Sequence, residues 1–67
     1  MLDVNTVYNL CNRNSWFTYG TNSQYNRMFE MVRQGKSIHD IAVVIWICSD
    51  GSDKIGTIER ILKENER

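Results

Sequence analysis

The chain has 67 residues, 42% hydrophobic and 24% charged, and its 8 basic and 8 acidic side chains cancel. That length allows one domain, 1–67, with a thin core, since so short a chain buries only about 60% of its unfolded surface; the composition excludes disorder. Without net charge, no global field draws the protein to phosphate backbones or to an anionic membrane.

The first predicted element runs from about Asp3 to Asn12. Val4, Val7, Tyr8 and Cys11 repeat as one helical face, with Asp3 as N-cap. Asn12-Arg13-Asn14-Ser15 ends it, because these short polar side chains compete for backbone hydrogen bonds. Trp16-Phe17-Thr18-Tyr19-Gly20 follows as a short extended segment or ordered loop. Its three rings either plug the open end of a bundle or form a contact surface, since aromatics offer large area with little rotamer entropy to lose.

Thr21 followed by Gln24 fits a capping box and opens a second helix. Tyr25, Met28, Phe29 and Val32 make its apolar stripe; Arg27, Glu30 and Arg33 face water, and Gly35 is the C′ stop. Ser37 to Asp40 starts the third helix. The run Ile41-Ala42-Val43-Val44-Ile45-Trp46-Ile47-Cys48 follows and has no polar face. A buried strand would also fit such a run, but its only pairing partner would be Trp16 to Tyr19, and an isolated two-stranded ribbon is marginal. The Ser37 cap decides for a helix. Asp50-Gly51 ends it, and the last helix starts with Ser52 as N-cap and Asp53 in its first turn. Ile55, Ile58, Ile61 and Leu62 line one side, Glu59 and Lys63 form an i, i+4 pair, and Gly56 invites close packing, for instance against Trp46.

The expected fold is therefore all-α: a compact four-helix bundle with a central, fully apolar third helix. Three small amphipathic helices give that hub thin cover, so homodimerisation is a fair expectation. The apolar run is far short of the roughly 20 residues that span a bilayer. The first residues lack the features of a signal peptide, and Cys11 and Cys48 sit on apolar stripes as reduced, buried thiols. These features point to the cytoplasm.

Little of the chain carries chemistry. His39 beside Asp40 could act as a base, but no nucleophile or oxyanion site is evident. Cys11, Cys48 and His39 lack the close paired spacing of a zinc site, and Ser49 to Asp53 lacks the alternating carboxylates of a calcium loop. No cofactor is implied, and the sequence predicts a protein that is not an enzyme. The last two helices loosely resemble a helix-turn-helix unit, in which Lys54, Arg60 and Lys63 would face duplex DNA. Against it stand Trp46 where a turn glycine is expected, a long turn, and acidic Asp53, Glu59 and Glu64 among the cations. The better surface candidate is Trp16, Phe17 and Tyr19, with Arg13, Arg27, Arg33 and Lys36 as a modest basic rim. Asn9, Asn12, Asn14, Asn22 and Asn26 fill the surface between with neutral polar groups.

The stretch Asn14-Ser15-Trp16-Phe17-Thr18-Tyr19-Gly20-Thr21-Asn22-Ser23-Gln24-Tyr25, with Ile45-Trp46-Ile47-Cys48-Ser49-Asp50, resembles small helical proteins carried by phages and other mobile elements of Gram-positive bacteria. Several anti-CRISPR proteins come from that setting. The resemblance implies a bacterial cytosol, no catalysis, and inhibition by stoichiometric binding to a host protein such as a CRISPR effector nuclease. It assigns no functional residues.

Overall fold

Three of the four helices begin where a side chain satisfies the orphan donors of the first turn. In the computed structural model, which describes residues 1–49 and 53–66, α1 spans Val4–Arg13, α2 Asn22–Arg33, α3 Ile38–Cys48 and α4 Ile55–Glu64. Asp3 accepts the Thr6 N–H at 2.7 Å. Thr21 and Gln24 close the capping box, with the Gln24 N–H on Thr21 Oγ1 at 3.2 Å and the Thr21 N–H on Gln24 Oε1 at 2.8 Å. Ser37 Oγ accepts the Asp40 N–H at 3.2 Å. No strand forms among the described residues, and the expected all-α bundle is what the chain builds.

The fourth start differs from expectation. α4 begins at Ile55, Lys54 occupies the N-cap, and no side chain caps the helix. Ser52 and the Asp50-Gly51 stop lie outside the described residues. Asp53 precedes the helix instead of joining its first turn, and its carboxylate accepts the Trp16 indole N–H at 2.8 Å. A buried indole N–H is a stronger claim on that carboxylate than a helix end exposed to water.

α2 ends in a Schellman motif. The Lys36 N–H reaches Met31 O and the Gly35 N–H reaches Val32 O, both at 3.1 Å, with Gly35 at φ +73°. α1 ends the same way without a glycine. Ser15 takes φ 58° and the Trp16 N–H bonds Cys11 O at 2.9 Å. A side chain in the left-handed region costs about 1–2 kcal/mol. Ser15→Gly should therefore raise the melting temperature by about 4–8 °C, the shift that about 1 kcal/mol produces in a domain of this size. An unchanged or lower melting temperature would show that Ser15 is not strained.

The core lies where α3 meets its neighbours. Ile41, Ala42 and Ile45 of α3 are buried in one cluster with Val7, Leu10 and Cys11 of α1, Met28 and Val32 of α2, and Ile58 and Leu62 of α4; Cys48 of α3 is buried as well. At its C-terminal end α3 has an acceptor to satisfy, and the segment after α1 supplies the donors. The N–H groups of Thr18 and Tyr19 both point at Cys48 O, at 3.3 and 2.9 Å. Gly20 makes this approach possible, because a Cβ there would lie 2.5 Å from the Tyr25 ring and 2.7 Å from Cys48 Sγ.

α3 is not covered on all sides: Trp46 and Ile47 remain 42% and 52% exposed. One expectation about the hub is corrected. Gly56 does not receive Trp46 within the chain; a Cβ at Gly56 would meet nothing within 4 Å. With α4 starting at Ile55, Gly56 falls in the first turn and is exposed. Among the described residues no helix is long and apolar enough to cross a membrane.

Candidate functional site: an aromatic cleft between the first two helices

Among the described residues, every buried side-chain nitrogen and oxygen has a hydrogen-bond partner. Cys11 and Cys48 are free and buried. Burial, reinforced by the neighbouring Cys48, pushes the Cys11 thiol from 9.0 up to about 12, and burial also raises Cys48. Both thiols stay protonated near neutrality and are poor nucleophiles. In the unfolded chain Cys11 titrates near its ordinary value, so its contribution is intact below about pH 9 and is lost as the pH climbs toward 12. The slope is about 1.4 kcal/mol per pH unit. Urea unfolding at rising alkaline pH should show this decline in the native protein and a shallower one in Cys11→Ala. Identical slopes would mean that the thiol is not held protonated.

His39 lies near Glu59 on α4 rather than near a nucleophile: His39 Nδ1 is 2.7 Å from Glu59 Oε1, and both side chains reach solvent. Glu59 thus engages α3, and no ion pair with Lys63, its expected i, i+4 partner, forms among the described residues. The contact braces α3 against α4 at the surface, where such pairs contribute about 0–1 kcal/mol. No cluster of three metal-ligating side chains forms among the described residues.

The aromatic segment divides between two roles. Trp16 is 1% exposed and belongs to the core, so it plugs the bundle and presents no ring to a partner. Tyr19 is 72% exposed beside the C-terminal end of α3. Phe17 organises a cluster of rings. Its ring lies 4.8 Å from Tyr25, nearly edge-on at 79°, 5.6 Å from Tyr8 and 6.3 Å from Phe29. Tyr8 and Phe29 close the set at 6.2 Å. These are the separations at which aromatic pairs attract beyond simple burial.

The four rings line an open cleft of about 490 Å³ with Asn22 and Asn26. Tyr8 is its most exposed ring at 49%; the other three are half-buried. No cation or carboxylate lines it. Rings tilted against one another make ridges with slots between them, and the asparagine amides supply donors and acceptors at the edge. Such a surface suits an apolar segment with a few neutral polar groups. Of the four rings only Phe17 was singled out as a contact in the sequence, with Asn22 and Asn26 as part of the neutral polar surface beside it. Tyr8, Tyr25 and Phe29 read there as core stripes, because periodicity places a residue on the inward half of a helix without saying whether the next helix covers it.

The arginines do not form one rim. Arg13 lines a hollow near the end of α4 with Glu64 and Glu66. Arg27 lies in the groove between α2 and α3 with Glu30, Lys36 and Asp40. Arg33 sits beside the N-terminal residues and pairs with Glu30 at 3.4 Å. Lys54, Arg60 and Lys63 are all exposed, but Lys54 and Lys63 stand about two and a half turns apart, on opposite sides of α4. Only Arg60 and Lys63 share a stripe, with Glu59 and Glu64 on either side of it.

Fold and surface together define a small all-α bundle whose distinctive feature is a neutral aromatic cleft. The chain matches no family model, no curated protein and no solved structure.

Proposed function

We propose that this protein is a non-enzymatic binding module that acts by stoichiometric occupation of a protein partner, with the Tyr8, Phe17, Tyr25 and Phe29 cleft as the contact. The observation that carries the reading is the cleft itself: four rings gathered at the surface, neutral, and rimmed by asparagine. Tyrosine at the edge of a well-packed patch is the residue type from which binding hot spots are made. The satisfied interior and the protonated thiols support the same reading, because they leave the surface as the place where specificity can reside.

The partner in the sharper form of the proposal is a CRISPR effector nuclease of a bacterial host, the protein being an inhibitor carried by a phage or other mobile element and working in the cytoplasm. The support is the resemblance of Asn14 to Tyr25 and Ile45 to Asp50 to small proteins of that setting. Titrating purified protein into a target-DNA cleavage assay tests it. Cleavage should fall in proportion to added protein and cease at equivalence. Undiminished cleavage in large molar excess would rule this partner out.

The alternative, duplex DNA held by Lys54, Arg60 and Lys63, has weaker support because the three cations do not form a stripe and carboxylates interrupt them. It predicts salt-sensitive retardation of duplex DNA, weakened by alanine at each of the three. No retardation at low salt would remove it.

A further inference from the structure

The aromatic cleft has a polar rim that helix formation does not require. Asn22, Tyr25, Asn26 and Phe29 follow the i, i+3, i+4, i+7 spacing, so amides and rings alternate along one face of α2. Tyr8 of α1 and Phe17 complete the lining. Asn22 is not needed as a cap, since Thr21 and Gln24 already close that end of the helix. Asn22 and Asn26 are exposed. Among the described residues neither amide makes a side-chain hydrogen bond, and neither do the hydroxyls of Tyr8 and Tyr25.

The rings are held in place before anything binds. Phe17 lies 4.8 Å from Tyr25, and Tyr25 rests on the Gly20 backbone, where a Cβ would come within 2.5 Å of its ring. Four rings offer limited contact area, so an occupant has to lose little freedom on binding. It also has to be neutral, since no charged side chain lines the cleft. Its apolar groups have to enter the slots between tilted rings, and its acceptors have to meet amide N–H and phenol O–H donors at short intervals. An α-helix does not meet the last condition, because its carbonyls are bonded internally. A β-strand docks on a sheet edge, and no strand forms among the described residues. A polyproline II segment meets all of them. It has no internal hydrogen bonds, so its carbonyls stay free along its length, while its prolines carry no N–H to leave unpaired. Its conformation is largely set before binding, and aromatic-lined grooves are the surfaces that take it.

We propose that the cleft takes a neutral, proline-rich segment of the partner in the polyproline II conformation. Its pyrrolidine rings sit between the four aromatic rings, and its carbonyls accept from the amides of Asn22 and Asn26. The chain contains no proline, so neither its own termini nor a second copy supplies such a segment, and the occupant belongs to another protein. This inference rests on the reading of the cleft as the contact surface and adds the chemistry of what enters it.

Titrating the isotope-labelled full chain with acetylated, amidated decaproline, and following backbone amide shifts into the millimolar range, tests the occupant. A neutral amphipathic peptide of leucine, alanine and glutamine, about 20 residues long so that it is helical when free, is titrated in parallel. Decaproline should give saturable shifts confined to the surroundings of Tyr8, Phe17 and residues 22–29. Its affinity should fall about ten-fold in Tyr8→Ala, as for a contact residue of a binding surface, and about five-fold in Asn26→Leu, the effect of losing one neutral hydrogen bond. Asn26 is exposed and leucine is a good helix former, so that variant should keep the circular dichroism of the parent. Absence of saturation by decaproline, shifts confined to another face, or tighter binding of the helical peptide at the cleft overturns the proposal. The cleft as contact surface is judged instead by the response of a protein partner to Tyr8→Ala, so the two readings fail separately.

Discussion

Replacing Trp16 by alanine is expected to leave most of the chain unfolded at room temperature. Loss of a fully buried tryptophan costs about 3–5 kcal/mol, and the whole stability of a domain this short is about 3–10 kcal/mol. Trp16 also ties two distant parts of the chain together, since its indole N–H bonds Asp53 just before α4, while its backbone N–H closes the end of α1. Alanine keeps the second link and loses both the ring and the first. Trp16→Phe separates the two contributions: it restores most of the volume and none of the hydrogen bond, and should cost about 1–3 kcal/mol. Urea titration followed by circular dichroism reads both variants. An alanine variant as stable as the parent would mean that the segment between α1 and α2 does not anchor the core.

The second large effect is expected at Ile45, and the informative comparison is with Ile47 on the same helix. Ile45 is completely buried and Ile47 is 52% exposed. The same truncation to alanine should cost about 2–5 kcal/mol at Ile45 and within about 0.5 kcal/mol at Ile47, as for a surface position. Helix propensity changes alike at the two sites, so the difference isolates packing. Equal losses at the two positions would show that α3 is oriented differently from the arrangement described here.

Much of the fold was legible because its signals are local. Asp3, the Thr21–Gln24 pair, Ser37 and Gly35 act within a turn of their own position, and each does in three dimensions what its neighbours in sequence imply. Three features were not legible, and each depends on a distant partner. Asp53 reads as a helix-start carboxylate until the indole of Trp16, far away in sequence, arrives beside it. Glu59 reads as a partner for Lys63 until His39 of α3 is brought within reach. Tyr8, Tyr25 and Phe29 read as core because one turn of helix cannot say where the neighbouring helix stops. The cleft is made at that stop, where Phe17 rather than a fifth helix meets the stripe.

The most direct test of the account is an equilibrium binding titration of a CRISPR effector nuclease with the parent chain, Tyr8→Ala, and Lys63→Ala. Tyr8 is the most exposed ring of the cleft, and its removal disturbs the core least. The account predicts one saturable site, an affinity about thirty-fold weaker for Tyr8→Ala, as for a hot-spot tyrosine, and no change for Lys63→Ala. Absence of binding by the parent, or binding that depends on Lys63 and not on Tyr8, would contradict it.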